Sequence, residues 1–136
     1  IHAGDIGHPR VVRALSKVGP MFVIRGNVDR GDWADTLPTT LDLRNHGHRI
    51  HVLHNIGMLD RATLSAETKL VISGHSHVPK CRQDGKTVYL NPGSIGPRRF
   101  KLPIARNRIR FENDEIDIKA FHLVEGCVME VNPWIT

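Results

Sequence analysis

Polar motifs follow four apolar runs along this chain, and each run has the composition of a β-strand. The runs cover residues 1–3, 21–25, 50–53 and 69–73. The motifs that follow them are Gly4-Asp5, Gly26-Asn27-Val28-Asp29, His54 and Gly74-His75-Ser76-His77. Because open α/β sheets place their sites at the carboxyl ends of strands, this order predicts that the polar side chains gather at one edge of a sheet.

The composition is typical of a soluble globular protein. The chain has 136 residues, of which 40% are hydrophobic and 24% are charged, and we expect residues 1–136 to form a single domain. No apolar run approaches the roughly 20 residues that a membrane span needs. Two cysteines, Cys81 and Cys127, are too few for a disulfide framework and favour the reducing cytoplasm.

The net charge of +5 indicates attraction to anions. Aromatic residues make up only 5% of the chain, and no basic stripe is interleaved with aromatic side chains, so recognition of nucleic acid by base stacking is disfavoured. The charge therefore fits a small anionic substrate better than nucleic acid.

Apolar periodicity predicts the N-terminal elements. Residues 9–18 carry apolar side chains at helical spacing and predict a helix. Together with the runs 1–3 and 21–25, this helix predicts a β-α-β unit. We expect a loop that covers the site at 31–39, and a second helix within 59–68.

Alternation and turn signals predict the later strands, at residues 40–43, 49–53, 69–73, 86–90, 105–111 and 116–120. The first two are joined by a turn at 45–48, and Asn91-Pro92-Gly93-Ser94 predicts another tight turn. The last two alternate between apolar and polar side chains, which predicts an antiparallel hairpin with one solvated face. A two-residue turn places Arg110 opposite Asp117.

The polar motifs offer the nitrogen and oxygen ligands that transition metals prefer. Asp5 has a carboxylate that can bridge two cations, Asn27 has a carbonyl oxygen, and His54, His75 and His77 have imidazole nitrogens. This mixed set favours Mn, Fe, Zn, Ni or Co over Ca or Mg. A glycine immediately before Asp5, Asn27 and His75 predicts a sharp turn at each of these strand ends.

These motifs, continued by Asn91-Pro92-Gly93-Ser94 and Pro97-Arg98, resemble those of the calcineurin-like metallophosphoesterases, in particular their small bacterial and archaeal phosphodiesterases. The resemblance covers nearly the whole chain. It implies an α/β fold, the four-layer α/β/β/α sandwich of two mixed sheets. It also implies a dinuclear centre of divalent transition metals, for which we expect manganese first and zinc, iron, nickel or cobalt as alternatives.

The resemblance gives each ligand a role. Asp5 matches the residue that bridges both metals, Asn27, His54 and His75 complete one metal, and His77 belongs to the other. The implied reaction is attack on phosphorus by a metal-bridging hydroxide, with Asn27 and His75 as the catalytic residues. In the family the second metal also takes an Asp-x-His pair from a first strand. No such pair precedes Asp5, so we expect an upstream strand and helix to be missing, one site to be incomplete and the activity to be impaired.

Val28 departs from the pattern of many phosphatases of this superfamily, which have a histidine that helps to protonate the leaving group. Valine cannot donate a proton, so we expect phosphodiesters to be preferred over alkyl monoesters. Asparagine at position 55, after His54, is a second departure from the glycine that is common there.

Four further residues are assigned to supporting roles. We expect Asp29 to accept hydrogen bonds within its loop, and Asn91 and Ser94 to support the histidine loop from behind. Arg98 is the candidate for binding substrate phosphate. The alternative for Arg98, as for Arg99 and Lys101, is a solvated cationic edge.

Two classes of function fit this pattern. The first is a metal-dependent phosphodiesterase that acts on a small phosphorylated substrate. The alternative is a non-catalytic protein-interaction scaffold of the same fold, like the retromer subunit that resembles this family. The presence of Asn27, His75 and His77 favours the enzyme, and the oligomeric state is left open.

Overall fold

The computed structural model describes residues 1–113 and 115–134. Its helices and strands are α1 (Pro9–Ser16), α2 (Asp32–Asp35), β1 (Thr40–Asn45), β2 (His48–Leu53), β3 (Thr68–Ile72), β4 (Lys80–Asp84), β5 (Thr87–Asn91), β6 (Ile104–Glu112), β7 (Glu115–Val124) and β8 (Cys127–Val131). None of the described helices has the length and apolar character that crossing a membrane requires.

Five strands form a mixed sheet in the order β1-β2-β3-β5-β4. The central strands β2, β3 and β5 are parallel, and β1 and β4 flank them as antiparallel edge strands. The central strands are rich in apolar residues, as expected for strands covered on both faces. Their buried side chains form the main core, which includes Ile50, Val52, Leu70, Ile72 and Leu90.

The strands β6, β7 and β8 form a second, antiparallel sheet. Arg110 lies opposite Asp117, as the turn register predicts. The apolar face of this sheet packs against the main core through Ile118, Phe111 and Ile116. The predicted α/β fold with two sheets is therefore present, although the second sheet is antiparallel rather than mixed among the described residues.

The N-terminal segment, residues 1–39, is held by much less backbone pairing. The runs 1–3 and 21–25 meet in one isolated parallel bridge between His2 and Val23. The His2 N–H donates to the carbonyl of Phe22 at 2.9 Å, and the Ile24 N–H donates to the carbonyl of His2 at 3.2 Å. The parallel direction agrees with the predicted β-α-β unit. The expectation of full strands was wrong, because pairing does not extend beyond this bridge.

A cleft of about 1210 Å³ lies between the N-terminal segment and the two sheets, beside the point where Ile24 and Ala3 pack on the main core. Val11 and Leu15 of α1 line it, and so do Phe22, Ile109 and Phe111. Helix α1 follows the predicted bounds closely, yet none of its residues is fully buried. The apolar face that predicted this helix therefore faces an open cleft instead of a closed core.

The helix predicted within 59–68 was wrong, since the chain forms two short 3₁₀ turns at Ile56–Met58 and Arg61–Thr63. The Asp60 carboxylate accepts a hydrogen bond from the Ala62 N–H at 2.9 Å. The Thr63 hydroxyl donates to the carbonyl of Asp60 at 2.7 Å. Side chains that bond to nearby backbone groups in this way compete with continuous α-helix. The loop predicted at 31–39 likewise contains the short helix α2.

Strands β4 and β8 were not predicted. Each is joined to its neighbour by a two-residue connection that begins or ends with glycine, at Gly85-Lys86 and Glu125-Gly126. Gly85 has φ +59, and Glu125 and Gly126 have φ +49 and +82. Positive φ at such positions is the mark of tight hairpin turns, so Asp84-Gly85 was a usable signal for β4.

Candidate metal centre

The five predicted ligands lie at one edge of the molecule. Asp5 and Asn27 follow the two bridged runs of the N-terminal segment. His54 comes directly after β2, and His75 and His77 lie in the loop after β3. Because β2 and β3 are parallel neighbours, their carboxyl ends point to the same side, and the Gly74 N–H donates to the His54 carbonyl at 2.9 Å.

Four of these side chains converge on one point. His54 Nε2 lies 2.9 Å from Asn27 Oδ1 and 3.3 Å from Asp5 Oδ1. His75 Nδ1 lies 3.0 Å from Asn27 Oδ1 and 3.3 Å from His54 Nε2. One candidate ligand atom each from Asp5, His54 and His75 lies within 4.8 Å of the other two. The arrangement therefore brings together two oxygens and two nitrogens from widely separated parts of the chain.

His77 approaches the same carboxylate from its other oxygen. Its Nε2 lies 3.9 Å from Asp5 Oδ2, whereas the four converging atoms include Asp5 Oδ1. Asp5 thus faces the converging ligands with Oδ1 and His77 with Oδ2. Burial lowers the pKa of His77 below its usual value, the positive charge of Arg99 lowers it further, and the charge of Asp5 opposes this. A lowered pKa favours the neutral imidazole, which is the form that binds a metal.

His54 is oriented by the backbone of the N-terminal segment. Its Nδ1 lies 2.7 Å from the carbonyl oxygen of Ala3. A carbonyl can only accept, so the proton of the neutral ring is on Nδ1 and the lone pair of Nε2 faces Asn27 and Asp5. This contact was not predicted, because no sequence signal marks which backbone carbonyl a histidine meets.

The donor set fits a divalent cation. With the ring proton on Nδ1, the lone pair of His54 Nε2 faces the carboxylate oxygen of Asp5 and the amide oxygen of Asn27. Acceptor atoms at such distances repel unless a positive charge lies among them. Mixed imidazole and oxygen ligands suit the first-row transition metals, and the backbone contact of His54 is the support typical of metal-bound histidines.

Three of the candidate ligands adopt a left-handed backbone. Asp5 has φ +57, His75 has φ +65 and His77 has φ +57. For residues other than glycine this conformation costs roughly 1–2 kcal/mol each. Such strain concentrates at functional sites, where it fixes the direction of a side chain. Nothing in the sequence predicted it.

The glycines beside the ligands act mainly through close approach. A Cβ on Gly26 would collide with the backbone and carboxylate of Asp5, and a Cβ on Gly74 would lie 2.9 Å from the carbonyl oxygen of Ala3. Only Gly4 of the three predicted positions has a positive φ, at +88. The predicted sharp turn is therefore correct at Gly4, whereas Gly26 and Gly74 let segments of chain pass close together.

Asp29 fixes the loop that carries Asn27. Its side chain is only 1% exposed, Oδ1 accepts from the Gly7 N–H at 2.8 Å and Oδ2 accepts from the Gly26 N–H at 2.7 Å. The adjacent Val28 N–H donates to Asp5 Oδ1 at 3.1 Å. These bonds tie the Asp5 and Asn27 loops together, in agreement with the acceptor role that the sequence suggested for Asp29.

Asn91 and Ser94 lie in different surroundings. Asn91 Nδ2 donates to the Gly74 carbonyl at 2.7 Å and to Ser76 Oγ at 3.0 Å, so it supports the histidine loop. Ser94 Oγ accepts from the Gly96 N–H at 3.3 Å, within its own loop. Among the described residues, the Ser94 side chain makes no hydrogen bond to the histidine loop.

The chain matches a known protein family and a relative of that family. The sequence model of the calcineurin-like phosphoesterase superfamily domain matches residues 1–114. A probable metallophosphoesterase from Methanothermobacter thermautotrophicus is 30% identical over 124 residues, which cover 86% of this chain and 71% of that protein.

Two solved structures have a similar fold. Wild-type Vps29 from Entamoeba histolytica, in complex with Zn²⁺, superposes with a TM-score of 0.77 at 21% identity and covers 95% of this chain and 77% of that one. YfcE, a phosphoesterase from E. coli, superposes with a TM-score of 0.58 at 18% identity and covers 96% and 75%. At these identities the likeness concerns the fold alone.

The family match spans most of the chain, and the relative at 30% identity is similar over most of its own length. The chain therefore belongs to the calcineurin-like phosphoesterase superfamily.

Proposed function

We propose that this chain is a metal-dependent phosphodiesterase of that superfamily. One divalent cation would be held by Asp5, Asn27, His54 and His75, and a second by Asp5 and His77. The observation that carries the proposal is the convergence of four ligand atoms, with His54 Nε2 at 2.9 Å from Asn27 Oδ1 and 3.3 Å from Asp5 Oδ1. Superfamily membership supports hydrolysis of phosphoesters as the reaction class.

The two sites differ in their number of protein ligands. The first has four, and the second has only the far oxygen of Asp5 and His77 within the described residues. We therefore expect tight binding of one cation and weak binding of the other. Manganese is the first candidate and zinc, iron, nickel and cobalt suit the same donors.

Bound divalent cations would supply Lewis acidity, which activates water and neutralises charge on the phosphoryl group. The side chains of the protein would hold the metal and the phosphoryl group in position. Asn27 and His75, which lie 3.0 Å apart, would position the metal and the phosphoryl group, and Asp29 holds the Asn27 loop through two backbone N–H groups. Val28 is 45% exposed at this edge and offers an apolar side chain there.

The absence of a proton donor at Val28 supports preference for diesters. General acid catalysis is worth about 10²–10⁴-fold where it operates, and alkyl monoesters need it because their leaving groups are poor. A diester with an aryl leaving group needs it least. We therefore assign phosphodiesters as the substrate class, with the catalytic roles of Asn27 and His75 limited to positioning the metal and the phosphoryl group.

The test compares hydrolysis of bis-p-nitrophenyl phosphate and of the alkyl monoester glycerol 2-phosphate by the chain loaded with Mn²⁺. We expect faster turnover of the diester, and a loss on the order of 10²–10³-fold in Asp5→Ala. Asp42→Ala is the matched control, since Asp42 is an exposed carboxylate that meets His51 on β1 and β2. Equal activity of Asp5→Ala and Asp42→Ala would contradict the proposal.

A scaffold without catalysis is the competing assignment, because Vps29 structures share this fold. One of them, from Chaetomium thermophilum, is complexed with a cyclic peptide. The enzyme is favoured here because all five candidate ligands are present and four of them converge.

We also place the protein in the cytoplasm. Cys81 and Cys127 are free, and burial raises the pKa of the Cys81 thiol to about 11.

A further inference from the structure

The segment from Ser94 to Ala105 forms a loop that is closed at its base. Ser94 and Ile104 form an isolated bridge, and the Ala105 N–H donates to the Ser94 carbonyl at 2.8 Å. At the tip, the Leu102 N–H donates to the carbonyl of Arg99 at 3.0 Å. Hydrogen bonds at both ends fix the path of the backbone, so the position of Arg99 is defined by the fold.

The two adjacent arginines of this loop have different surroundings. Arg98 Nε donates to the carbonyl of Leu102 at 3.3 Å, so its guanidinium is turned back onto its own loop. Arg99 lines the same cleft as Asp5, His75 and His77, and Arg98 does not. Arg99 is exposed, and among the described residues no carboxylate forms an ion pair with it.

We propose that Arg99, rather than Arg98, binds the phosphoryl group of the substrate. The inference rests on the proposed function, since it adds a binding residue to the same site. A phosphodiester carries one negative charge on two non-bridging oxygens. A guanidinium presents paired N–H donors that match such oxygens. An arginine that lines the same cleft as the candidate ligands, and that forms no ion pair among the described residues, has the required chemistry.

The two exposed apolar side chains of this loop cannot bind phosphate in place of Arg99. Ile95 and Phe100 are 55% and 94% exposed and carry no charge, so they cannot replace a cation at this position. Phe100 has φ +51, a left-handed conformation that turns the chain directly after Arg99. Of the three cations in this loop, Arg98, Arg99 and Lys101, only Arg99 lines the cleft, and the chain leads the next side chain, Phe100, into solvent.

The experiment measures binding of inorganic phosphate to the metal-loaded protein by titration calorimetry, together with KM and kcat for bis-p-nitrophenyl phosphate. Arg99→Gln should raise the phosphate Kd and the diester KM about tenfold, because a charge-assisted contact at an exposed site is lost. Its kcat should change much less. Arg99→Lys should restore part of the binding, since it keeps the charge and loses the paired donors.

Two comparison variants make the result specific. Arg98→Gln should change the phosphate Kd by about twofold or less, and so should Arg108→Gln, which removes one exposed charge from the solvated face of β6. All three glutamine variants should melt at the same temperature as the parent protein, since each altered side chain is exposed.

The outcomes separate this inference from the proposed function. If the parent protein hydrolyses the diester and Arg99→Gln binds phosphate as tightly, only the role of Arg99 is overturned. An effect of Arg98→Gln as large as that of Arg99→Gln also overturns it, as does a parent protein that binds no phosphate. If the parent protein binds phosphate but hydrolyses neither ester, the proposed function fails, and the Arg99→Gln titration still decides the binding role.

Discussion

The candidate metal centre takes its ligands from two regions that differ in the extent of their backbone pairing. The five-stranded sheet supplies His54, His75 and His77 from the ends of strands with continuous hydrogen-bonded registers. The N-terminal segment supplies Asp5 and Asn27 from runs that share one isolated bridge. The sheet is held by continuous strand pairing, whereas the N-terminal segment borders an open cleft and packs on the main core through Ile24 and Ala3.

This difference indicates what a bound cation would do for the fold. A cation held by Asp5 and Asn27 on one side and His54 and His75 on the other would link the segment to the sheet. Local stability varies across a protein with the number of buried contacts, and ligands stabilise the state that binds them. The metal centre would then be part of what holds the N-terminal segment in place.

The largest expected effect is on the core of the sheet. Leu70 in β3 is 0% exposed, whereas Leu15 in α1 is only partly buried at the cleft. Leu70→Ala should lower the free energy of unfolding by about 2–5 kcal/mol, because it leaves a cavity in a closed core. Leu15→Ala should cost less than about 1 kcal/mol. Urea unfolding measures both, and equal losses would show that α1 is packed as firmly as the sheet.

Metal binding should change the free energy of unfolding by less than the largest loss expected for Leu70→Ala. Hydrogen exchange should show that the N-terminal segment opens more readily than the sheet. Ile24 and Val71 are both 0% exposed, one in the N-terminal segment and one in β3. After treatment with EDTA, the Ile24 amide should exchange well before that of Val71. Mn²⁺ at 100 times its Kd should add about 2.7 kcal/mol and slow exchange at Ile24 about 100-fold. Equal protection of the two amides without metal would mean that both regions open together.

Sequence reasoning succeeded where the determinants are local. Alternation of apolar and charged side chains predicted the pairing of β6 with β7, and a two-residue turn predicted the register that places Arg110 opposite Asp117. Apolar runs followed by glycine and a polar residue gave the edge at which Asp5, His54 and His75 meet. Both patterns lie within a few consecutive residues, so they can be recognised without knowledge of the tertiary structure.

Prediction from the sequence failed where the structure depends on contacts between distant segments. It also failed where local hydrogen bonds compete with helix formation within a few residues. The strand β4 carries exposed Lys80 and Gln83 and has little apolar alternation, as edge strands often do. Helix propensity within 59–68 was outweighed by the hydrogen bonds of Asp60 and Thr63. The left-handed backbone of His75 depends on the site as a whole, which no local pattern records.

The smallest of the three effects concerns the junction of the two regions. Asp29 accepts the N–H groups of Gly7 and Gly26, so Asp29→Ala leaves the buried Gly26 donor without a partner, whereas the N–H of the exposed Gly7 can bond to water. We expect a loss of about 1–2 kcal/mol in the free energy of unfolding. The Mn²⁺ Kd should rise about tenfold as well, because the loop that positions Asn27 loses its support. Calorimetric Mn²⁺ titration and urea unfolding measure the two effects, with the exposed Asp42→Ala as control. If stability falls while the Mn²⁺ Kd stays constant, Asp29 supports the fold but not the ligands, and the N-terminal segment holds Asn27 in place by other contacts.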